Sequence, residues 1–170
     1  ELLFIEMLAG DLAAAEREVM PDYEFLSRAG ETFFLSTMAA LLSRVVRDQG
    51  RDEEALKLSK VAEETSAEDD VESQALWRSI RAPIVGRAGN LAEAESMARA
   101  AVELSQKTDA PQLRGDTLLE LAAVLVLAGR TAEARSAIDS ATATYQAKGD
   151  IVSAARAAAW ASWASRTASP

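Results

Sequence analysis

Leu8-Ala9-Gly10-Asp11-Leu12, Asp48-Gln49-Gly50-Arg51-Asp52, Arg87-Ala88-Gly89-Asn90-Leu91 and Leu127-Ala128-Gly129-Arg130-Thr131 are four versions of one junction. Their glycines stand 40, 39 and 40 residues apart. Each closes an apolar-periodic stretch and is followed at once by an alanine-rich one. A glycine just past a helix takes the left-handed conformation that caps the last carbonyls. A new helix starting immediately afterwards makes an antiparallel pair joined by a tight turn. A repeat of about 40 residues built this way predicts a helical solenoid.

The register inside each unit agrees. Five residues past each glycine stands Ala15, Ala55, Ala94 or Ala134, and nine past it Val19, Ser59, Ala98 or Ile138. Twelve past it come Ala62, Ala101 and Ala141, but Asp22 in the first unit, which is therefore the atypical one. Small residues recurring on one helix face let a neighbouring helix come close.

The 170 residues include 36 alanines, eight glycines and four prolines. Alanine favours helices and is little used in strands, so the class is all-α. The expected helices are 2–9, 12–28, 32–48, 52–66, 70–87, 91–107, 112–127, 131–147 and 151–166. They group as units 1–29, 31–67, 69–108 and 111–148, with a terminal capping helix at 150–166 that carries Trp160 and Trp163. Asp69 or Asp70 should cap the helix that follows, and Pro111 suits a first turn. Pro21 and Pro83 fall inside expected helices, where each would kink or split its helix.

Composition excludes much chemistry. There is no His and no Cys, so the commonest general base, thiolate nucleophiles, disulfides and zinc–thiolate sites are out of reach. A net charge of −9 makes a general phosphate-binding surface improbable, and no nucleic-acid partner is expected. The longest apolar run, Leu121 to Ala128, is far short of the roughly 20 residues that span a bilayer, and no signal peptide opens the chain. The expectation is a cytoplasmic, non-enzymatic protein without cofactor or metal. The acidic stretch from Glu63 to Glu72 lacks the central glycine of a calcium loop and reads as a solvated connection with helix caps.

These patterns resemble the tetratricopeptide repeat. The fourth unit matches best, with Leu118, Leu121, Ala122 and Leu125 in its first helix and Ala134, Ile138 and Ala141 in its second. The second unit is looser, with Ala39, Leu42, Ser43 and Val46. The third departs, since Arg78 and Arg81 occupy large-apolar places although Ala82 and Val85 fit. The period exceeds the usual 34 residues, and on length alone the HEAT or armadillo repeat competes. More narrowly, "LSTMAALLSRVVRDQGRDEEA" (35–55), "DDVESQALWRSIRAPIVGRAGNLAEAE" (69–95) and "LRGDTLLELAAVLVLAGRTAEA" (113–134) with "YQAKGD" (145–150) look like the C-terminal repeat region of large bacterial signalling ATPases. Those include adenylate/guanylate-cyclase-like regulators and the maltose-regulon type of activator. The resemblance implies a right-handed superhelix serving as sensor or partner-docking surface. It transfers no catalytic residue, because the chain has no phosphate loop.

The candidate docking residues are Gln74, Trp77, Arg78 and Arg81, which share or border one helix face. Arg44 and Arg47 on the preceding first helix, and Arg114 on the following one, would extend them into a basic strip. Two arginines and an indole suit an acidic or aromatic peptide. The competing reading makes Trp77 inter-repeat core and pairs the arginines with Asp70 or Glu72. Tyr23 and Phe25 are expected in the core. The chain opens on Glu1 with a short apolar helix, as a piece of a longer protein would, and a homodimer through residues 1–29 is expected. The alternative role is an intramolecular or oligomerisation scaffold for a neighbouring ATPase or cyclase domain.

Overall fold

A computed structural model describes the backbone of residues 2–167 and the side chains of residues 5–7 and 9–160. Among the described residues there are nine helices and no strand, so the protein is all-α. They are α1 (Leu2–Ala9), α2 (Leu12–Ala29), α3 (Phe33–Asp48), α4 (Asp52–Thr65), α5 (Val71–Arg87), α6 (Leu91–Ser105), α7 (Pro111–Leu127), α8 (Thr131–Lys148) and α9 (Ile151–Thr167). Every boundary lies within two residues of the sequence expectation.

The spaced glycines do what their spacing implies. At Gly50 the backbone turns left-handed, with φ at 83°. Its N–H donates to the Arg47 carbonyl at 2.8 Å and the Arg51 N–H to the Val46 carbonyl at 3.1 Å, which answers two carbonyls at the end of α3. The next helix begins directly, with Ala55 N–H donating to the Arg51 carbonyl at 3.0 Å. The same pair of bonds closes α5, α7 and α8. Asp70 caps α5 by accepting from Ser73 N–H at 3.1 Å, and Pro111 opens α7. Pro21 and Pro83 are accommodated inside α2 and α5, and neither divides its helix.

Consecutive helices pack on one another, and α3, α5 and α7 also touch in series. The residues at fixed offsets from the glycines form the seams. Ala15, Ala55, Ala94 and Ala134 are all at 0% exposure, as are Ala62, Ala101 and Ala141. Asp22, the exception in register, is exposed. At these places a larger side chain would push adjacent helices apart, because the interior is close-packed.

A second periodicity is carried by charge. Arg51, one residue past Gly50, pairs with Glu54 in its own helix at 2.6 Å and with Glu16 of the preceding unit at 2.9 Å. Arg130, one past Gly129, pairs with Glu133 at 2.6 Å and with Glu95 of its preceding unit at 2.5 Å. Gly-Arg-x-x-Glu, at 50–54 and 129–133, is thus the sequence mark of an inter-unit brace. Arg87 and Asp52 add a third brace at 2.6 Å.

One core expectation is corrected. Tyr23 packs on the apolar clusters formed by α2, α3 and α4, but Phe25 is 67% exposed. Phe25 lies two residues along the helix from Tyr23, a 200° rotation that turns it to the opposite side. Trp160 packs against the C-terminal core, while the side chain of Trp163 lies outside the described residues.

Candidate partner-docking site

Helix α5 carries the first group of candidates on the side that meets α4. Trp77 is buried at 4% exposure against Ala39, Ala40, Ala62 and Ile80. Two guanidinium groups lie over its ring, that of Arg78 at 4.1 Å and that of Arg81 at 4.5 Å from the centroid. Such stacking is favourable because the ring face is electron-rich. Gln74 ties the group to the α4–α5 connection. Its Oε1 accepts from Trp77 Nε1 at 3.3 Å and from Arg78, and its Nε2 donates to Ser66 Oγ at 3.0 Å and to the Ala67 carbonyl at 2.9 Å.

The two arginines differ in what remains free. Arg81 is buried; its Nε donates to Ser59 Oγ at 2.9 Å, its Nη2 to the Ser59 carbonyl at 2.6 Å and its Nη1 to Glu63 at 2.7 Å. Its acid is therefore Glu63 on α4, not Asp70 or Glu72. Arg78 donates to the Gln74 carbonyl at 2.8 Å and has no ion pair among the described residues. Burial holds its pKa below the usual guanidinium value, yet it stays cationic at any ordinary pH. Replacing Arg81 with alanine should cost about 2–3 kcal/mol in urea unfolding, since three charge-assisted bonds and one partner charge are lost together.

The second group faces another way. Arg44 and Arg47 on α3 reach past α5 to α7. Arg44 Nη1 donates to Asp116 Oδ2 at 2.9 Å, and Arg47 makes a fork to Glu120 at 2.8 and 2.9 Å. Arg47 also donates to the Ile80 carbonyl on α5 at 3.3 Å, so one guanidinium joins three helices. Burial alone would lower the pKa of both arginines; the neighbouring carboxylates, led by Asp116 for Arg44 and Glu120 for Arg47, outweigh it and raise both. Arg114 forms a third group, donating to the Ser105 carbonyl at the end of α6 at 3.2 Å and to the Thr108 carbonyl in the α6–α7 connection. All seven candidates sit on first helices or their equivalent, but they do not make one strip. The helix-face rule placed Gln74, Arg78 and Arg81 together; it could not say that α3 turns Arg44 and Arg47 toward α7.

The structure adds a site that the motifs did not disclose. A cleft of about 420 Å³ opens where α1, α3, α7, α8 and α9 converge. Met7 of the first helix and Trp160 of the last both line it. Asp116 organises one wall: it accepts from Arg44, from Tyr145 Oη at 2.5 Å and from Gln112 Nε2 at 3.5 Å. Burial first, and the Asp116 charge next, push the Tyr145 phenol far above its usual pKa, so it remains a donor. Gly115, the fifth residue of α7, lies close beside this wall: an added Cβ would lie 2.4 Å from the Tyr145 ring. Among the described residues no three His, Cys, Asp or Glu side chains gather as metal ligands, and no helix is long and apolar enough to cross a membrane.

The titrating groups predict a simple pH profile. Glu16, Asp52, Glu95, Glu133 and Asp150 all have pKa values lowered in the folded state, chiefly by hydrogen bonds from Gln49, Arg87, Arg99, Arg130 and the Ser153 backbone respectively. A lowered carboxylate stabilises the fold fully above the unfolded value, about 4, and that stability is lost as pH falls through the folded one. With no His in the chain, no side chain of ordinary pKa titrates between about pH 5.5 and 8. Calorimetry should show a flat melting temperature across that window and a decline beginning below about pH 4.5.

No protein-family model matches the chain, and no curated protein matches it. Solved structures do match, among them the crystal structure of BtubC (BKLC) from P. vanneervenii. That likeness covers 98% of this chain and 78% of that one, with a TM-score of 0.57 and 20% identity. At this identity the two share an all-helical fold, and the likeness speaks to the fold alone.

Proposed function

We propose that the chain is a non-catalytic, protein- or peptide-binding helical-repeat module of the tetratricopeptide kind. In this reading it is the cytoplasmic sensor or partner-docking region of a larger bacterial regulator. The observation that carries the docking part is Arg78. Its guanidinium lies on the Trp77 ring, is positioned by Gln74, and has no carboxylate partner among the described residues, while the neighbouring Arg81 is fully engaged. A cation held on a rigid aromatic support is preorganised for an acidic side chain, which lowers the ordering cost of binding. The other candidates serve a different purpose: Arg44, Arg47, Arg81 and Arg114 brace the helices that hold this anchor.

A peptide-display selection tests the reading. It should enrich extended acidic sequences against the intact chain, and enrichment should vanish against Arg78→Glu, whose helicity by circular dichroism is unchanged. No enrichment, or equal enrichment against both, rejects it. The scaffold alternative draws on the apolar end of the molecule, where Phe25, Phe33 and Phe34 are 67%, 61% and 59% exposed near the α2–α3 turn. Exposed aromatics of this extent mark association surfaces. Light scattering at high concentration should show a dimer that Phe33→Ser/Phe34→Ser returns to monomer; a strict monomer removes the oligomerisation form of this alternative.

A further inference from the structure

The cleft between the first and last helices is a different place from the Arg78 anchor, and it is equipped differently. Its apolar side is made by Met7, Leu119, Ala157 and Trp160. On its polar side stand Arg44, Gln112 and Arg156. The acids there are already committed. Asp116 is saturated by Arg44, Tyr145 and Gln112, and Asp150 caps α9 by accepting from Ser153 N–H at 3.0 Å. The cations are less so. Arg156 has neither ion pair nor hydrogen-bond partner among the described residues, and no short-range acid of its own helix answers it. Arg44 keeps a buried Nε–H that no acceptor among the described residues meets. A buried donor left without an acceptor is unusual and costly. Gln112 is only loosely held, since both of its amide bonds, to Asp116 and to Ser153 Oγ, are at 3.5 Å.

We infer that this cleft binds a small amphipathic carboxylic acid. The carboxylate would sit against Arg156 and the Gln112 amide, and its apolar or aromatic body against Trp160 and Leu119. An arginine without an acid partner, Arg156, beside the Arg44–Asp116 pair, and an apolar opposite side select for one negative charge joined to a hydrophobic body. The volume, about 420 Å³, is that of a small-molecule site and too small for a folded partner. Because the first and last helices both line the cleft, a ligand here contacts both ends of the array at once. That is the geometry of a sensor input, and it does not depend on whether a peptide docks at Arg78.

The test uses 4-phenylbutyrate as probe, with its methyl ester as the neutral isostere, titrated calorimetrically into the intact chain. The acid is expected to bind with a Kd of about 0.1–1 mM, as its few heavy atoms allow, and the ester at least ten-fold more weakly. Arg156→Gln, an exposed position whose change leaves the fold intact, should weaken the acid by ten-fold or more. Arg87→Gln, which breaks a surface pair elsewhere, should leave binding unchanged. Arg78→Glu should also leave it unchanged, which separates this site from peptide docking. Equal binding of acid and ester, unaltered binding by Arg156→Gln, or no binding at 10-fold above the expected Kd range overturns the assignment. So does ten-fold tighter binding of a free-acid pentapeptide ending in phenylalanine, because the carboxylate would then belong to a polypeptide terminus.

Discussion

Gly115→Ala is expected to destabilise the protein by about 2–3 kcal/mol, lowering the melting temperature by roughly 5–10 °C. The sign is the informative part. Glycine to alanine inside a helix normally stabilises by about 1 kcal/mol, and Gly115 lies within α7, as its fifth residue. Here the new Cβ would stand 2.4 Å from Cε1 and Cζ of Tyr145 and 2.9 Å from its Oη. The ring is held in place: Tyr145 is 1% exposed and its hydroxyl is bonded to Asp116 at 2.5 Å. Relief therefore requires α7 and α8 to separate, which disturbs the largest core cluster. Gly86 in α5 is the control. A Cβ there would press on the tip of the half-exposed Leu127 side chain at 3.1 Å and reach ordinary contact with Ala94 Cβ at 3.4 Å, so Gly86→Ala should remain within about 1 kcal/mol of the wild type. Pairing Gly115→Ala with Tyr145→Leu should cost less than the two changes summed, because removing the ring also removes the clash.

The second large effect concerns the buried ion pair that joins α3 to α7. Arg47→Met should cost about 3–5 kcal/mol in urea unfolding. The methionine can fill the space of the arginine stem, so the loss is electrostatic in origin. Glu120, only 12% exposed, would be left charged with neither of its two guanidinium bonds, and α5 would lose the bond to the Ile80 carbonyl. The double variant Arg47→Met/Glu120→Leu should recover most of that loss, since an apolar pair needs no compensation for desolvation. If the double variant is as unstable as the single, packing rather than unpaired charge holds α3 to α7. By contrast, the braces at Arg51 and Arg130 are half-exposed, and removing either alone should change stability only slightly.

The contrast between these residues shows what was legible in the sequence. Helix positions were, because the left-handed glycines and the alanines at fixed offsets are local signals that repeat. Ala55, Ala94 and Ala134 announce their burial by recurring, and recurrence needs no knowledge of the third dimension. The Trp77 cluster was half legible: spacing placed Gln74, Arg78 and Arg81 on one face, but the partner of Arg81 lies on α4, 18 residues away in sequence. The Arg44–Asp116 and Arg47–Glu120 pairs span 72 and 73 residues and skip over α5. Nothing periodic encodes them, because they depend on how α3, α5 and α7 pack on one another. The cleft is illegible for the same reason. Met7 and Trp160 belong to the first and last helices, and no local pattern announces that they line one cleft. Gly115 stood in the sequence as a lone glycine within a helical pattern, a mark of close approach that has meaning only once Tyr145 is seen against it.

The reading of this protein as a partner-binding module stands or falls on Arg78. A fluorescein-labelled acidic peptide taken from the display selection should be titrated into the wild type, Arg78→Glu and Arg156→Gln, with fluorescence polarisation as the readout. The account predicts at least a ten-fold loss of affinity for Arg78→Glu and unchanged affinity for Arg156→Gln. Wild-type affinity in Arg78→Glu would contradict it.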